Sequence, residues 1–291
     1  MFYQSTAGQW PRLLLGMGLT LIAALSVHVV MLQGLHVPYP DNSIVGWPAR
    51  YLNVALAMFA TILFNRLADP RLSGYSWLPR SLVLFLIYSM LHEALVRAVV
   101  MDGVTTTAWT FSLLKNLPAI ITNFITCIAI VLVSPRLDRL WQKALGAMLL
   151  AVLVWFVCKP ALGWAFSGIL ESLSFLAHED VYSEPYGWEV LVPAYITFAE
   201  PVVAAFLIAV LVWDRLSVHP WIRGAQLVAL IMLMKGSVAP TLLYSIYLKS
   251  DLGTAMMSEG QFGLETLTLS VMTASFWHFS RRPPRLATLP S

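Results

Sequence analysis

The residues of this sequence that could do chemistry are charged side chains inside long apolar runs. His92, Glu93 and Arg97 lie together in one such run, over 80–101. Glu93 and Arg97 are four positions apart, the helical spacing at which a carboxylate and a guanidinium can pair. An imidazole and a carboxylate can act as acid and base, and a guanidinium can bind a phosphate or an oxyanion. His92 and Glu93 are therefore the candidate catalytic residues.

Other polar residues interrupt the apolar runs that follow. A charged residue at the centre of a membrane-spanning helix costs roughly 2.5–3.5 kcal/mol on insertion scales. Such residues therefore usually face a bundle interior or a water-filled cavity, where they bind ions or substrates. We predict one substrate-binding site, in the half of the bundle nearer the outer surface. Its residues are Arg97, Lys115, Asn116, Asn123, Lys159, Glu200, Lys235 and Glu265.

Positive side chains are slightly in excess among these buried charges. The four cations, Arg97, Lys115, Lys159 and Lys235, outnumber the three carboxylates, Glu93, Glu200 and Glu265. A cavity lined by them would suit an anionic ligand such as a carboxylate or a lipid phosphate. The alternative is that the charges only hold helices together, with Glu93 paired to Arg97 and Glu200 paired to Lys159 or Lys235.

The composition is that of a membrane protein. The chain has 291 residues, of which 58% are hydrophobic and 11% charged, whereas soluble domains contain about 25% charged residues. Eight apolar runs are long enough to cross about 30 Å of hydrocarbon. They should be helices, because lipid offers no hydrogen bonds to a backbone. The runs are 12–33, 48–67, 80–101, 109–134, 144–166, 190–213, 225–247 and 263–280.

These runs predict an all-α integral membrane protein, a polytopic bundle of about eight transmembrane helices that forms a single membrane domain over 1–291. Prolines predict kinks in several of the helices, since proline removes a backbone donor and clashes with the preceding turn. A proline follows within five residues of four buried charges, namely Lys115, Lys159, Glu200 and Lys235.

The distribution of basic residues predicts the orientation. With the N-terminus inside, twelve of the eighteen Lys and Arg residues lie in the inner loops and tails, and outside the spans the outer loops keep only Lys249. Because positive residues favour the cytoplasmic side, both termini should be cytoplasmic and the protein should lie in the cell's inner (plasma) membrane. The longest outer loop, 167–189, is acidic and aromatic, and its part 178–189 is a possible surface for a protein partner.

The segment His92–Glu93–Ala94–Leu95–Val96–Arg97 resembles in part the E-E-x-x-x-R motif of the CAAX-protease and bacteriocin-processing membrane family. The F-x-x-x-H and H-x-x-x-N signatures of that family do not occur in this sequence, so no mechanism is transferred from it. Nucleotide-binding and serine-hydrolase motifs are also absent, and no spacing of His, Cys or carboxylates predicts a metal site. We expect no cofactor, no metal and no nucleic-acid partner.

Three functions are compatible with these features. The first is a transporter or translocase that handles an anionic small solute or a lipid headgroup through a polar cavity formed by the third to eighth spans. The second is an integral-membrane enzyme that acts on a lipid or lipid-linked substrate at the outer face. The third is a non-catalytic subunit or sensor of a membrane complex. In each case the surrounding membrane lipid is a partner.

Overall fold

The computed structural model describes residues 10–104, 108–177, 186–248 and 251–281, and every regular element in these ranges is a helix. The described α-helices are α1 (Trp10–Val29), α2 (Trp47–Leu72), α3 (Trp77–Leu91), α4 (Val96–Val104), α5 (Trp109–Val133), α6 (Leu140–Val152), α7 (Lys159–Ser172), α8 (Trp188–Thr197), α9 (Ala199–Val212), α10 (Pro220–Lys235), α11 (Val238–Leu243) and α12 (Leu252–Ser280). A π-helical turn extends α1 over Val30–Gly34, and another joins α6 to α7 over Leu153–Cys158.

The prediction of an all-α polytopic bundle is confirmed, but the predicted count of eight spans is too high. In the described residues six helical segments, some of them joined across short irregular turns, are long and apolar enough to cross a membrane, and a bent pair brings the number to seven. The six are Trp10–Gly34, Trp47–Leu72, Trp77–Val104, Trp109–Arg136, Leu140–Ser172 and Trp188–Arg215. The bent pair is Pro220–Lys235 with Val238–Ile246.

The helix at the eighth predicted span, α12, is long enough but too polar to be among these segments. It has 29 residues, and its buried positions include Ser258, Glu259, Gln261 and Glu265. It packs against α1, α9, α10 and α11. Its exposed positions, among them Leu264, Leu267 and Val271, are apolar, so its low hydropathy comes from the polar residues of the buried face.

The centre of the bundle is the α8–α9 segment. In its most apolar window 67% of the residues are buried, against 22% to 50% in the other five segments. From this position α9 contacts α1, α2, α3 and α12. The fully buried Phe198 lies at the junction of α8 and α9. Side chains near this junction therefore lie among several helices.

The prolines beside the buried charges mostly lie in the first turn of a helix that follows a π-helical turn, a break or a bend. Pro160 is the second residue of α7, and Pro201 and Pro240 are each the third residue of α9 and α11. Proline lacks a backbone N–H and clashes with the preceding turn, which accounts for the irregular backbone before it. Pro118, by contrast, lies inside α5, as predicted.

Candidate functional site

Three of the predicted spans are interrupted at positions that carry or adjoin a charge. The predicted span 80–101 stops being helical between Leu91 and Val96, where Glu93 adopts a left-handed backbone with φ of 58°. The predicted span 190–213 breaks at Phe198. The predicted span 225–247 bends by 80° after Lys235, where Gly236 has φ of 69°. The prolines beside Glu200 and Lys235 predicted irregularities near the second and third of these positions, whereas no sequence pattern predicted the break at Glu93.

Four charges from these segments and from α12 form one ionic cluster of alternating sign. Lys235 Nζ lies 2.5 Å from Glu93 Oε1 and 3.3 Å from Glu265 Oε1. Arg97 Nε lies 2.5 Å from Glu93 Oε2. All four side chains are largely buried, with exposed fractions between 6% and 22%. Burial weakens solvent screening of these pairs, so their Coulombic attraction is stronger than at a surface.

The carboxylate of Glu200 binds the N-terminus of α4. Its two oxygens accept hydrogen bonds from the backbone N–H groups of Leu95 (2.9 Å), Val96 (2.8 Å) and Arg97 (2.5 Å). The first N–H groups of a helix lack intrahelical acceptors and carry the positive end of the helix dipole, so a carboxylate stabilises them. The hypothesis that Glu200 pairs with Lys159 or Lys235 is therefore wrong, whereas the predicted pair of Glu93 and Arg97 is present.

Phe198 lies against both cations of the cluster. The guanidinium carbon of Arg97 is 5.2 Å from the centroid of its ring, and Lys235 Nζ is 5.4 Å from it. Arg97 Nη1 also donates to the carbonyl of Ala194 at 2.5 Å and to Thr197 Oγ1 at 3.2 Å. The break between α8 and α9 thus holds the two cations by cation–π and hydrogen-bonding contacts.

A cavity of about 880 Å³ opens beside this cluster. Cavities that bind small ligands usually measure about 300–1,000 Å³. Much of the lining comes from apolar residues of α1, α4 and α8. Its ionisable lining residues include His28, Glu93, Arg97, Lys235, Glu259 and Glu265. The cavity and the ionic cluster together make the candidate site.

Five of the eight predicted binding residues do not line the cavity, namely Glu200, which caps α4, and four others. Lys115 and Asn116 bind the Asp102 carboxylate at 2.9 Å and 2.6 Å, and Asn123 donates to Ser89 Oγ at 3.3 Å. The exposed Lys159 lies 4.8 Å from the ring centroid of Trp155. These four residues do not line the cavity, because the rotation of α5 and α7 in the bundle directs them to other neighbours.

The candidate acid/base His92 does not line this cavity either. Its ring packs against Tyr88 with the centroids 4.3 Å apart, and no described residue hydrogen-bonds to its Nε2 atom. Glu93 does line the cavity, but both of its oxygens are bound by cations.

Sequence reasoning missed His28 and Glu259. Glu259 was assigned to an outer loop because hydropathy places the last span at 263–280, but α12 begins at Leu252. The spacing of Glu259, Phe262 and Thr266 at i, i+3 and i+7, one helical face, was the available signal. The lining therefore includes two cations and three carboxylates, and the prediction of a cationic cavity is wrong.

The described residues contain no group of three or more His, Cys, Asp or Glu side chains that could hold a metal ion. Most of the possible partner surface at 178–189 cannot be placed on the bundle, since 178–185 lie outside the described residues.

Comparisons with protein-family models, with curated proteins and with solved structures found no match. The structure itself indicates only a multi-span helical bundle. A function for the chain therefore has to be argued from the cavity and its ionic cluster.

Proposed function

We propose that the chain is a transporter or translocase that handles a small solute or lipid headgroup bearing an anionic group. The observation that carries this proposal is the meeting of three interrupted spans at a buried ionic cluster beside a cavity. Irregular backbone within a membrane is tolerated where protein or a water-filled cavity surrounds it. Interrupted helices whose ends face bound ions are a recurring design of transporter sites.

The cluster offers two cations to a carboxylate or phosphate. Arg97 and Lys235 both line the cavity, and each is already bound by Glu93. An anionic ligand would exchange with Glu93 for these cations, so binding would loosen the contact between α10 and the turn that precedes α4. The turn at Glu93 and the bend at Gly236 are the natural hinges for such a rearrangement.

The distribution of charge supports an inner-membrane location with cytoplasmic termini. Basic residues gather at the end of the bundle where α2, α9 and α12 terminate, and two of them, Arg71 and Arg281, bind Asp214 there at 2.7 Å and 2.5 Å. The cavity lies toward the opposite end, where α1 terminates. The positive-inside rule places that opposite end outside.

The membrane-enzyme hypothesis receives less support from the geometry. It assigns acid/base roles to His92 and Glu93, yet only Glu93 lines the cavity, and its oxygens are occupied by Arg97 and Lys235. The hypothesis of a subunit or sensor depends on 178–189, most of which is outside the described residues. A test of transport should therefore come first.

The test is flux through the purified full-length protein in liposomes. Two probes cover the two ligand sources: radiolabelled succinate for a soluble anion and fluorescently labelled phosphatidylglycerol for a lipid headgroup. We expect flux of one probe above that of empty liposomes, loss of that flux in Lys235→Met, and retention in Lys115→Met. Lys115 is the matched control because its side chain is 51% exposed and lies outside the cavity. Fluxes equal to those of empty liposomes for both probes would refute the proposal.

A further inference from the structure

One carboxylate in the cavity has no counter-charge among the described residues. Glu259 is only 1% exposed, and its Oε1 atom has no hydrogen-bond partner among the described residues. It lines the same cavity as the ionic cluster. A buried carboxylate that lacks partners is costly, so such a group is usually satisfied by a cation, by a ligand or by protonation.

The other charges of the cavity do not supply that cation. Arg97 is paired with Glu93, and Lys235 is paired with Glu93 and Glu265. Those four side chains are two cations and two carboxylates, and their formal charges cancel. Glu259 therefore adds one unbalanced negative charge to the described lining of the cavity.

Three of the aromatic rings in the lining of this cavity pack against one another. Phe262 is one helical turn after it on α12, and its ring centroid lies 4.7 Å from that of His28 and 5.4 Å from that of Tyr39. The rings of His28 and Tyr39 are 6.3 Å apart and nearly perpendicular. Tyr39 is 62% exposed, so this aromatic cluster reaches from the cavity to the surface.

We propose that Glu259 and the aromatic cluster of His28, Tyr39 and Phe262 form a subsite for an ammonium group. Aromatic faces attract alkylated ammonium ions through the negative charge of their π-systems. The carboxylate would supply the counter-charge. This inference rests on the proposed function, because it takes the cavity to be a ligand site. The ligand would then be a zwitterion. The anionic group would bind at Arg97 and Lys235, and the amine at Glu259.

The test is binding of tetramethylammonium chloride to the purified full-length protein in detergent, measured by calorimetry, with potassium chloride at equal ionic strength as the blank. We expect saturable binding that weakens at least about tenfold in Glu259→Gln. In Phe262→Leu we expect a smaller loss, several-fold, because that change removes one ring and keeps the apolar volume. Glu171→Gln is the matched control, since Glu171 is exposed on α7 and does not line the cavity.

Two outcomes would overturn the subsite. One is no binding of tetramethylammonium to the wild-type protein, which would mean that a proton alone satisfies Glu259. The other is equal binding by wild type, Glu259→Gln and Phe262→Leu. If Glu259→Gln fails to fold, Phe262→Leu and Glu259→Asp carry the comparison. Flux lost in Lys235→Met without any tetramethylammonium binding would refute the subsite and leave the transport proposal standing.

The amine could belong to a soluble solute or to a lipid headgroup, and nanodiscs separate the two sources. Phosphatidylcholine carries the same quaternary ammonium as the probe, and phosphatidylglycerol carries none. If the natural source is lipid, tetramethylammonium should bind several-fold more weakly in phosphatidylcholine nanodiscs than in phosphatidylglycerol nanodiscs. Equal binding in both, still dependent on Glu259, would support a soluble amine.

Discussion

Lys235 Nζ lies 2.5 Å from Glu93 Oε1, although 142 positions separate the two residues in the sequence. Lys235 is the last residue of α10, where the negative end of the helix dipole favours a cation. Glu93 is in the turn between α3 and α4. This ion pair thus joins two positions at which a helix is interrupted. Both residues line the cavity.

Replacing Lys235 with methionine should destabilise the protein strongly. The change leaves the carboxylates of Glu93 and Glu265 buried without their shared cation, and breaking a buried pair in this way costs about 3–5 kcal/mol. Reversible unfolding in mixed micelles would measure the loss. Lys115→Met breaks an exposed pair with Asp102 and should cost less than about 1 kcal/mol. Similar losses for the two variants would show that the buried cluster does not stabilise the fold.

Adding Glu265→Gln to Lys235→Met should recover part of the lost stability, since one of the two unpaired carboxylates is then neutral. The recovery tests whether the cost comes from uncompensated charge. A double variant no more stable than Lys235→Met alone would contradict that explanation.

The variant Glu200→Gln should loosen the N-terminus of α4. The neutral amide has one acceptor oxygen in place of two charged ones, so it cannot serve the N–H groups of Leu95, Val96 and Arg97 equally well. We expect the free energy of unfolding to fall by about 2 kcal/mol. Hydrogen exchange at these three amides should be faster than in the wild type, whereas exchange at the amides of α2 should not change. Mass spectrometry of exchange would detect this. Unchanged exchange at 95–97 relative to the Glu171→Gln control would count against the capping role.

Replacing Gly236 with alanine should disturb the bend after α10. Its φ of 69° is unfavourable for a residue with a Cβ, and that Cβ would lie 3.2 Å from the side-chain amide of Asn53. The left-handed conformation alone costs about 1–2 kcal/mol. The control is Gly224→Ala in the same helix, where a Cβ would have no atom within 4 Å. We expect a lower midpoint of thermal unfolding for the first variant only, and equal midpoints would contradict the prediction.

The start of α12 should respond to acid through Asp251. Hydrogen bonds from the side chain of Thr254 and from its backbone N–H, the latter at 3.0 Å, lower the pKa of the Asp251 carboxyl group below its usual value. A lowered folded-state pKa means that the stabilisation is present above the unfolded-state pKa and is lost as pH falls through the folded-state pKa. Wild type should therefore lose more stability than Asp251→Asn between pH 6 and pH 2. Thermal unfolding at each pH would measure these losses. Equal losses of stability in the two proteins would argue against this cap.

The contacts of the candidate site that could be predicted were those between residues close together in the sequence. The pairing of Glu93 with Arg97 followed from their separation of four residues, and the pair exists even though the helix is broken at Glu93. The partners of Glu200 could not be predicted in this way. They are the backbone N–H groups at the start of a helix more than 100 residues away. No pattern of side chains in the sequence predicts such donors.

By itself the sequence determined that the chain is an all-α, multi-span bundle, because a backbone in lipid must satisfy its own hydrogen bonds over each apolar run. The tertiary structure decided which charges share the cavity. That outcome depends on helix rotation, on the breaks at Glu93, Phe198 and Gly236, and on the packing of one face of α12 against other helices. Lys115 and Lys159 look equivalent to Lys235 in hydropathy, yet only Lys235 ends a helix that bends into the bundle. Hydropathy is a local property of the sequence, whereas the burial and the partner of a charge are set by packing across the whole chain.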